Sequence, residues 1–140
     1  MSDFTPTMDK ALLDVIHLWA TTPPYSDYPC ETIANRLIPA VRLARTRYFY
    51  DQNRVLRAFA TYGFMTNDEF DTRNYWGWEV FSRNGGEKLV IVDMIAPGGK
   101  NDVLFVSRDL RKFFKSAFPD VKKVYAHRGR KNGVFPNKGG

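Results

Sequence analysis

The stretch of sequence that decides the fold is KLVIVDMIAPGGKND, residues 88–102. Its apolar run at 89–92 is unbroken, which predicts a central strand that is buried on both faces. A Pro-Gly-Gly turn follows, and apolar side chains then recur at helical spacing as far as about residue 118. Residues 88–117 are therefore predicted to form a strand, a glycine-rich turn and a helix at the centre of the domain.

The other elements are predicted from apolar periodicity and turn-forming residues. Toward the N-terminus these are a helix at 6–20, which begins at Thr5-Pro6, and a short helix at 30–38, which Pro39 limits. Next come a hairpin of strands at 45–50 and 55–62 and a short helix that passes into a strand around 77–82. After the central helix, capped by Asn101 or Asp102, come a strand at 121–127 and a short strand near 134–135. This order predicts an α+β domain with a β-α-β unit near its C-terminus.

Size and composition indicate one folded domain over residues 1–140, with a flexible tail from about 136 to 140. Hydrophobic residues make up 44% of the chain, enough for a core, so a disordered chain is excluded. No apolar run approaches the ~18 residues of a membrane helix, and the N-terminus lacks the pattern of a secretory signal. With a single cysteine, Cys30, a reducing and cytoplasmic setting is expected.

Charge is unevenly distributed along the chain. From Arg108 to the C-terminus there are ten Lys/Arg and two Asp/Glu, whereas residues 1–107 carry a small net negative charge. This basic third predicts an acidic partner, such as nucleic acid, a CoA-type phosphate or an acidic carrier protein, or else a merely solvated face. Basic and aromatic residues also interleave at 45–50 and 122–131, a pattern shared by nucleic-acid-binding modules and half-buried strands.

Asp93 is the residue that most directly indicates chemistry. It interrupts an apolar strand, where an unpaired carboxylate is costly, so it is expected to be hydrogen-bonded or to act in proton transfer. The turn after it offers glycines, a helix N-terminus and Lys100, which are typical of an anion site and equally of an ordinary turn. His17 is expected to be an ordinary helical residue and His127 part of the basic surface. With two histidines and one cysteine, no metal site is expected.

Three short motifs carry a resemblance to a known family. The segment LWATTPPYSDYP at 18–29 resembles the Leu-Trp-Ala/Met-x-Ser-Pro-x-His-x-x-Trp-Pro segment of the toxin-activating lysine acyltransferases. The spacing of prolines in CETIANRLIPAV at 30–41 is similar to that of the family's next helix. VDMIAPGGKND at 92–102 resembles its Asp-x-Ile-Ala-Pro-Phe-Gly block, with a Gly-Glu pair upstream where the family has Gly-Asp.

This resemblance implies a GNAT-like mixed sheet flanked by helices, often in a dimer. It implies transfer of an acyl group from acyl carrier protein, or from a CoA thioester, to a lysine or other amine of a target protein, with no permanently bound cofactor. In GNAT-like folds the thioester arm enters beside the central strand and the turn that follows it. That position is the 88–102 segment of this chain.

The family's site residues are carried over one by one. Asp93 matches the catalytic aspartate, and Thr22 falls on the small hydroxyl residue before proline. Tyr25 falls where the family has its catalytic histidine, and a phenol of pKa ~10 is a poor base at neutral pH. The family's asparagine falls on Arg36, beside Asn35. The residues expected to bind the acyl donor are Ala96, Gly98, Gly99, Lys100, Asn35 and Arg36.

These residues leave two classes of function open beside the nucleic-acid reading. An active acyltransferase would work with Tyr25 and Asp93 in place of a histidine and an aspartate. The alternative is a catalytically inactive protein of the same fold that binds and modulates a host protein. Relatives of the family among small proteins of bacterial viruses, the missing histidine and the short chain favour this alternative.

Overall fold

The computed structural model describes residues 4–128 and 131–138 and contains a five-stranded mixed sheet. The strands lie in sequence order across the sheet: β1 (Thr46–Tyr50), β2 (Leu56–Met65), β3 (Lys88–Ile95), β4 (Lys123–Arg128) and β5 (Lys131–Pro136). Neighbouring strands are antiparallel except for β3 and β4, which are parallel. The predicted α+β class, the GNAT-like mixed sheet flanked by helices and the β-α-β unit are confirmed.

Helices cover both faces of this sheet. Helix α6 (Lys100–Ala117) connects β3 to β4 and buries Val106, Leu110 and Phe114 against one face. The opposite face is covered by α1 (Met8–Ala20), α3 (Ile38–Arg42), α4 (Asn67–Thr72) and α5 (Gly77–Val80). A short helix, α2 (Cys30–Thr32), lies between α1 and α3 in the sequence and buries none of its residues. The predicted strand–turn–helix unit at 88–117 is therefore the sheet centre and its crossover helix.

Strands β3 and β4 separate after a short paired stretch. Their register joins Leu89–Ile91 to 124–126 only, although β3 continues to Ile95. On the other side of β3, Thr61 pairs with Asp93 while Tyr62 pairs with Ile91, so Val92 is the extra residue of a bulge. A bulge bends its strand and increases the local twist. The carboxyl end of β3 therefore turns away from β4 and leaves an opening in the sheet.

The prediction that Pro39 ends the second helix is wrong. Helix α2 passes through a π-helical turn at Ile33–Leu37 into α3, where Pro39 occupies the first turn. Proline lacks an N–H and so cannot donate to the carbonyl four residues earlier, which disfavours a continuous α-helix. A π turn contains one extra residue and shifts the hydrogen bonds to carbonyls five residues earlier, so the helix continues past Pro39 to Arg42.

Three other element boundaries differ from the prediction. The prediction of a strand around 77–82 is wrong, because this segment contains the short helix α5. Helix α6 is preceded by Gly99, with φ of 106°, rather than capped by Asn101 or Asp102, which lie inside it. Helix α1 begins at Met8 because the side chain of Thr7, not Thr5, accepts a hydrogen bond from Lys10 N.

The C-terminal segment ends against the body of the domain. The predicted short strand near 134–135 lies within β5. Asn137, inside the range expected to be a tail, is buried and its Nδ2 donates to the carbonyls of Phe118 and Val121 at 3.1 and 3.0 Å. Residues 139 and 140 lie outside the described residues. Within the described ranges, every helix is too short or too polar to cross a lipid bilayer.

Candidate active site

A pocket of about 710 Å³ opens where β3 and β4 separate. From one face of the sheet it is lined by Tyr25, Arg36 and the loop at 73–75, and from the other by side chains of α6, including Val103 and Leu110. Asp93 and His127 come from the two separating strands themselves. The pocket therefore brings together a polar wall from the N-terminal half and a more apolar wall from α6.

Asp93 is held in this pocket by Arg36. The Asp93 side chain is 2% exposed, and its two oxygens accept from Nη2 and Nε of Arg36, the latter at 3.2 Å. Burial raises the pKa of the Asp93 carboxyl, and the guanidinium opposes that rise. Because both oxygens accept N–H groups from a cation, the geometry favours the carboxylate form. The hydroxyl of Thr61 accepts from the backbone N–H of Asp93 at 3.1 Å and fixes the strand there.

Two aromatic rings lie beside the guanidinium of Arg36, and a third packs on them. The central carbon of this guanidinium lies 5.5 Å from the ring centroid of Trp19 and 5.6 Å from that of Tyr28. Tyr25 packs on Trp19 with a centroid distance of 4.8 Å. These distances are within the range of cation–π attraction, so the rings favour a cation beside Asp93.

Tyr25 lies at the pocket next to Asp93. Its hydroxyl donates to the carbonyl of Met94 at 3.3 Å. Burial, and next the charge of Asp93, raise the pKa of the Tyr25 phenol above its usual value. The phenol is therefore a proton donor at neutral pH and not a base. Tyr25 and Asp93 line one pocket, as the proposal of a shared site requires.

Asn35 binds the loop that forms one wall of the pocket. Its Oδ1 accepts from Gly77 N at 2.7 Å, and its Nδ2 donates to the carbonyl of Tyr75 at 3.1 Å. Gly77 is needed here because a Cβ at that position would lie 1.5 Å from the carbonyl oxygen of Asn35. Both polar residues of the π turn, Asn35 and Arg36, therefore shape the pocket.

His127 also lines the pocket, which the sequence had not indicated. Its ring stacks on that of Phe70 with centroids 4.3 Å apart, and Nε2 lies 2.7 Å from the Phe70 carbonyl. Because a carbonyl only accepts, Nε2 carries the proton. The expectation that His127 belongs to the basic surface is wrong. Side chains alternate in direction along β4, and this alternation places His127 on the side of the strand that faces the pocket. The basic residues close to it in the sequence obscured that pattern.

One comparison with known proteins decides the family. The model of the RTX toxin acyltransferase family matches residues 5–134. The chain belongs to the RTX toxin acyltransferase family. The resemblance stated from the three motifs is thereby confirmed, and membership implies acyl transfer in toxin activation. Among curated proteins, none matches the chain.

Not every residue that the acyltransferase resemblance singled out lies in the pocket. Thr22 donates its hydroxyl to the carbonyl of Leu18 at 2.6 Å, at the end of α1. Ala96 packs against the core beneath α6. Gly98 lines a separate, shallow depression of about 600 Å³, and Gly99 and Lys100 are exposed beside it. The structure therefore brings together Tyr25, Asn35, Arg36 and Asp93, and leaves the glycine-rich turn outside their pocket.

The described side chains of the pocket include few of the types that usually bind metal ions. Across residues 4–128 and 131–138, His, Cys, Asp and Glu side chains nowhere gather in a group of three that could hold a metal ion. The polar side chains of the pocket carry one carboxylate, one imidazole, three guanidinium groups, tyrosine and serine hydroxyls and two amides, from Asn35 and Asn74.

Proposed function

We propose that this protein transfers an acyl group from a thioester donor to a lysine or other amine of a protein acceptor. The observation that carries the proposal is the pocket at the separation of β3 and β4, where buried Asp93 lies among aromatic and cationic side chains. Its volume of about 710 Å³ is in the range of sites that bind small molecules and cofactor arms.

The two walls of the pocket support different roles. Ile91, Val103 and Leu110 give an apolar surface along which an acyl chain or thioester arm can lie. On the other wall, Asp93 and the aromatic rings favour a positively charged group, such as the ammonium of an incoming lysine. We therefore assign the donor to the α6 side and the acceptor to the side of Tyr25 and Arg36.

Acyl carrier protein is the donor that the surface favours over free CoA. The exposed face of α6 carries Arg108, Arg111, Lys112 and Lys115. Arg111 also lines the pocket, so this basic face continues into the site. An acidic carrier protein would be attracted to such a face and would bring its thioester arm to the opening.

Amine attack on a thioester needs orientation, removal of a proton and protonation of the leaving thiolate. Asp93 would hold the ammonium of the acceptor before attack. Tyr25, which is protonated at neutral pH, would donate a hydrogen bond to the thiolate that leaves. In this scheme Arg36 must give up part of its contact with Asp93 when the acceptor binds.

The test is incubation with acyl-carrier-protein thioesters and with acyl-CoA. Release of free thiol, together with an acyl-dependent mass increase on an added lysine peptide, is the expected result with at least one donor. Thermal stabilisation by the donor alone would report binding without transfer. If neither donor is turned over or raises the melting temperature, the proposal is wrong.

The second candidate is an inactive acyltransferase fold that binds a host or partner protein. It is favoured by the full engagement of Asp93 by Arg36 and by the presence of Tyr25 where the family has histidine. Under this alternative, the wild type binds a thioester donor without turnover. Lysine acylation by Tyr25→His but not by the parent protein would support it, and equal activity in both would exclude it.

A further inference from the structure

His127 has a fixed orientation in the pocket. Its ring is stacked on Phe70 at an interplanar angle of 17°, and its Nε2–H donates to the Phe70 carbonyl. Nδ1 therefore carries a lone pair. In the part of the chain that the structure describes, no side chain or backbone group donates to Nδ1. The stacking on Phe70 and the hydrogen bond to its carbonyl thus hold the imidazole, and Nδ1 takes part in neither contact.

Among the described side chains that line the pocket, the other titratable groups are poor proton acceptors at neutral pH. Arg36, Arg73 and Arg111 are cations throughout. Burial raises the pKa of Tyr25 and of Tyr75, so these phenols keep their protons. Asp93 has both oxygens occupied by Arg36. Elimination leaves Nδ1 of His127 as the basic atom of the site.

Burial, and next the balance of charges around His127, favour the neutral ring. Burial lowers the pKa of His127, and the hydrogen bond to the Phe70 carbonyl counteracts this in part. Arg73, from the loop after α4, and Arg36, from the π turn, lower the pKa further, whereas Asp93 on β3 raises it. Two cations against one carboxylate favour the neutral imidazole, which is the form that accepts a proton.

We infer that His127 is the catalytic proton acceptor of the acyl transfer, supplied by β4 instead of the segment that contains Tyr25. This inference rests on the proposed function. The ammonium of the acceptor first loses one proton to solvent. The neutral amine nitrogen then forms a bond to the thioester carbonyl carbon, and Nδ1 of His127 takes a second proton from that nitrogen. The carbon–sulfur bond then breaks, and the imidazolium returns the proton to the thiolate. An amide and a free thiol result, and His127 is unchanged.

The test compares His127→Gln with His17→Gln and the wild type. Glutamine at 127 keeps an amide N–H near the position of Nε2 and so can retain the bond to Phe70, but it offers no basic nitrogen. His17 is exposed on α1, away from the pocket, and serves as the matched control. Thiol release and lysine-peptide acylation are measured from pH 5 to 9 with the donor that the wild type uses.

The expected result is a loss of about 100-fold or more in kcat for His127→Gln, with KM for the donor little changed. The wild-type rate should fall on acidification with an apparent pKa below about 6.5, and that fall should be absent in the variant. Wild-type activity in His127→Gln with an unchanged pH profile would overturn the inference while leaving the proposed function intact. An inactive wild type would overturn both.

A folding control separates chemistry from structure. If His127→Gln is inactive, its melting temperature and its stabilisation by the donor are compared with those of the wild type. Retained donor binding with lost turnover supports the role in proton transfer. If His127→Gln does not fold, the wild-type pH profile decides, and the absence of a transition below about pH 6.5 overturns the inference.

Discussion

Arg36, in the π turn, donates through Nε and Nη2 to the two carboxylate oxygens of Asp93 on β3, whose side chain is 2% exposed. The pair joins the N-terminal helices to the centre of the sheet across 57 positions of sequence. It has two consequences for the protein. It compensates a buried charge, and it occupies the carboxylate that an acceptor amine would otherwise contact.

We expect Arg36→Leu to destabilise the protein by about 3 kcal/mol, because removing one partner of a buried pair leaves the other charge uncompensated. Urea unfolding at pH 7 measures the loss. Arg57→Leu is the control, since Arg57 pairs with Asp51 on an exposed surface and should change stability little. The double variant Arg36→Leu/Asp93→Leu should recover much of the lost stability. A loss as large as in the single variant would contradict this account.

Gly77→Ala is expected to destabilise the protein by about 3 kcal/mol or more, because the new methyl group would lie 1.5 Å from the Asn35 carbonyl oxygen. Backbone on both sides would have to shift. Gly85→Ala is the matched control, since a Cβ there meets nothing within 4 Å. Equal melting temperatures for the two variants would show that the loop at 75–77 is not packed on the π turn.

Stability should decline on acidification through His127. Burial lowers its pKa in the folded state, so just below about pH 6.5 the unfolded chain binds a proton that the folded protein does not. Stability from this source is complete above about pH 6.5 and is lost as the pH falls below it. Free energies of unfolding in urea between pH 7.5 and 5 should decline less in His127→Gln than in the wild type. Parallel curves would contradict the prediction.

Asn137→Ala should destabilise the protein by about 1–3 kcal/mol, because the carbonyls of Phe118 and Val121 would lose a buried donor. Thermal unfolding monitored by circular dichroism measures the change. Lys138→Ala, at the next and exposed position, is the control and should unfold like the wild type. If the two variants unfold alike, Asn137 does not anchor the C-terminal segment.

The centre of the fold could be predicted because local signals agreed there. An apolar run, two glycines and an amphipathic helix each favour one structure at 88–117, and the structure contains it. Asp93 was found in the same way, since a carboxylate in an apolar strand requires a partner. Its partner, Arg36, comes from a distant helix, and no local pattern specifies that contact.

The wrong predictions share a dependence on tertiary contacts. Pro39 is a helix-breaking signal in isolation, yet the π turn and the packing of Gly77 against Asn35 let the helix continue. The segment at 77–82 has strand-forming residues, but Asn35 binds its first backbone N–H and holds it as a short helix. His127 lies among basic residues, so its inward direction follows only from the register of β4.

The π turn at Ile33–Leu37 makes the site sensitive to chain length as well as to composition. Each residue of an α-helix advances the side-chain direction by about 100°. Deleting one residue from this turn would give a more regular helix and would rotate Arg36 away from Asp93 by about that angle, even with every site side chain retained. The π turn therefore sets which side chains of this helix point at the pocket. A homologue with the same residues but an uninterrupted helix would present a different face to the sheet.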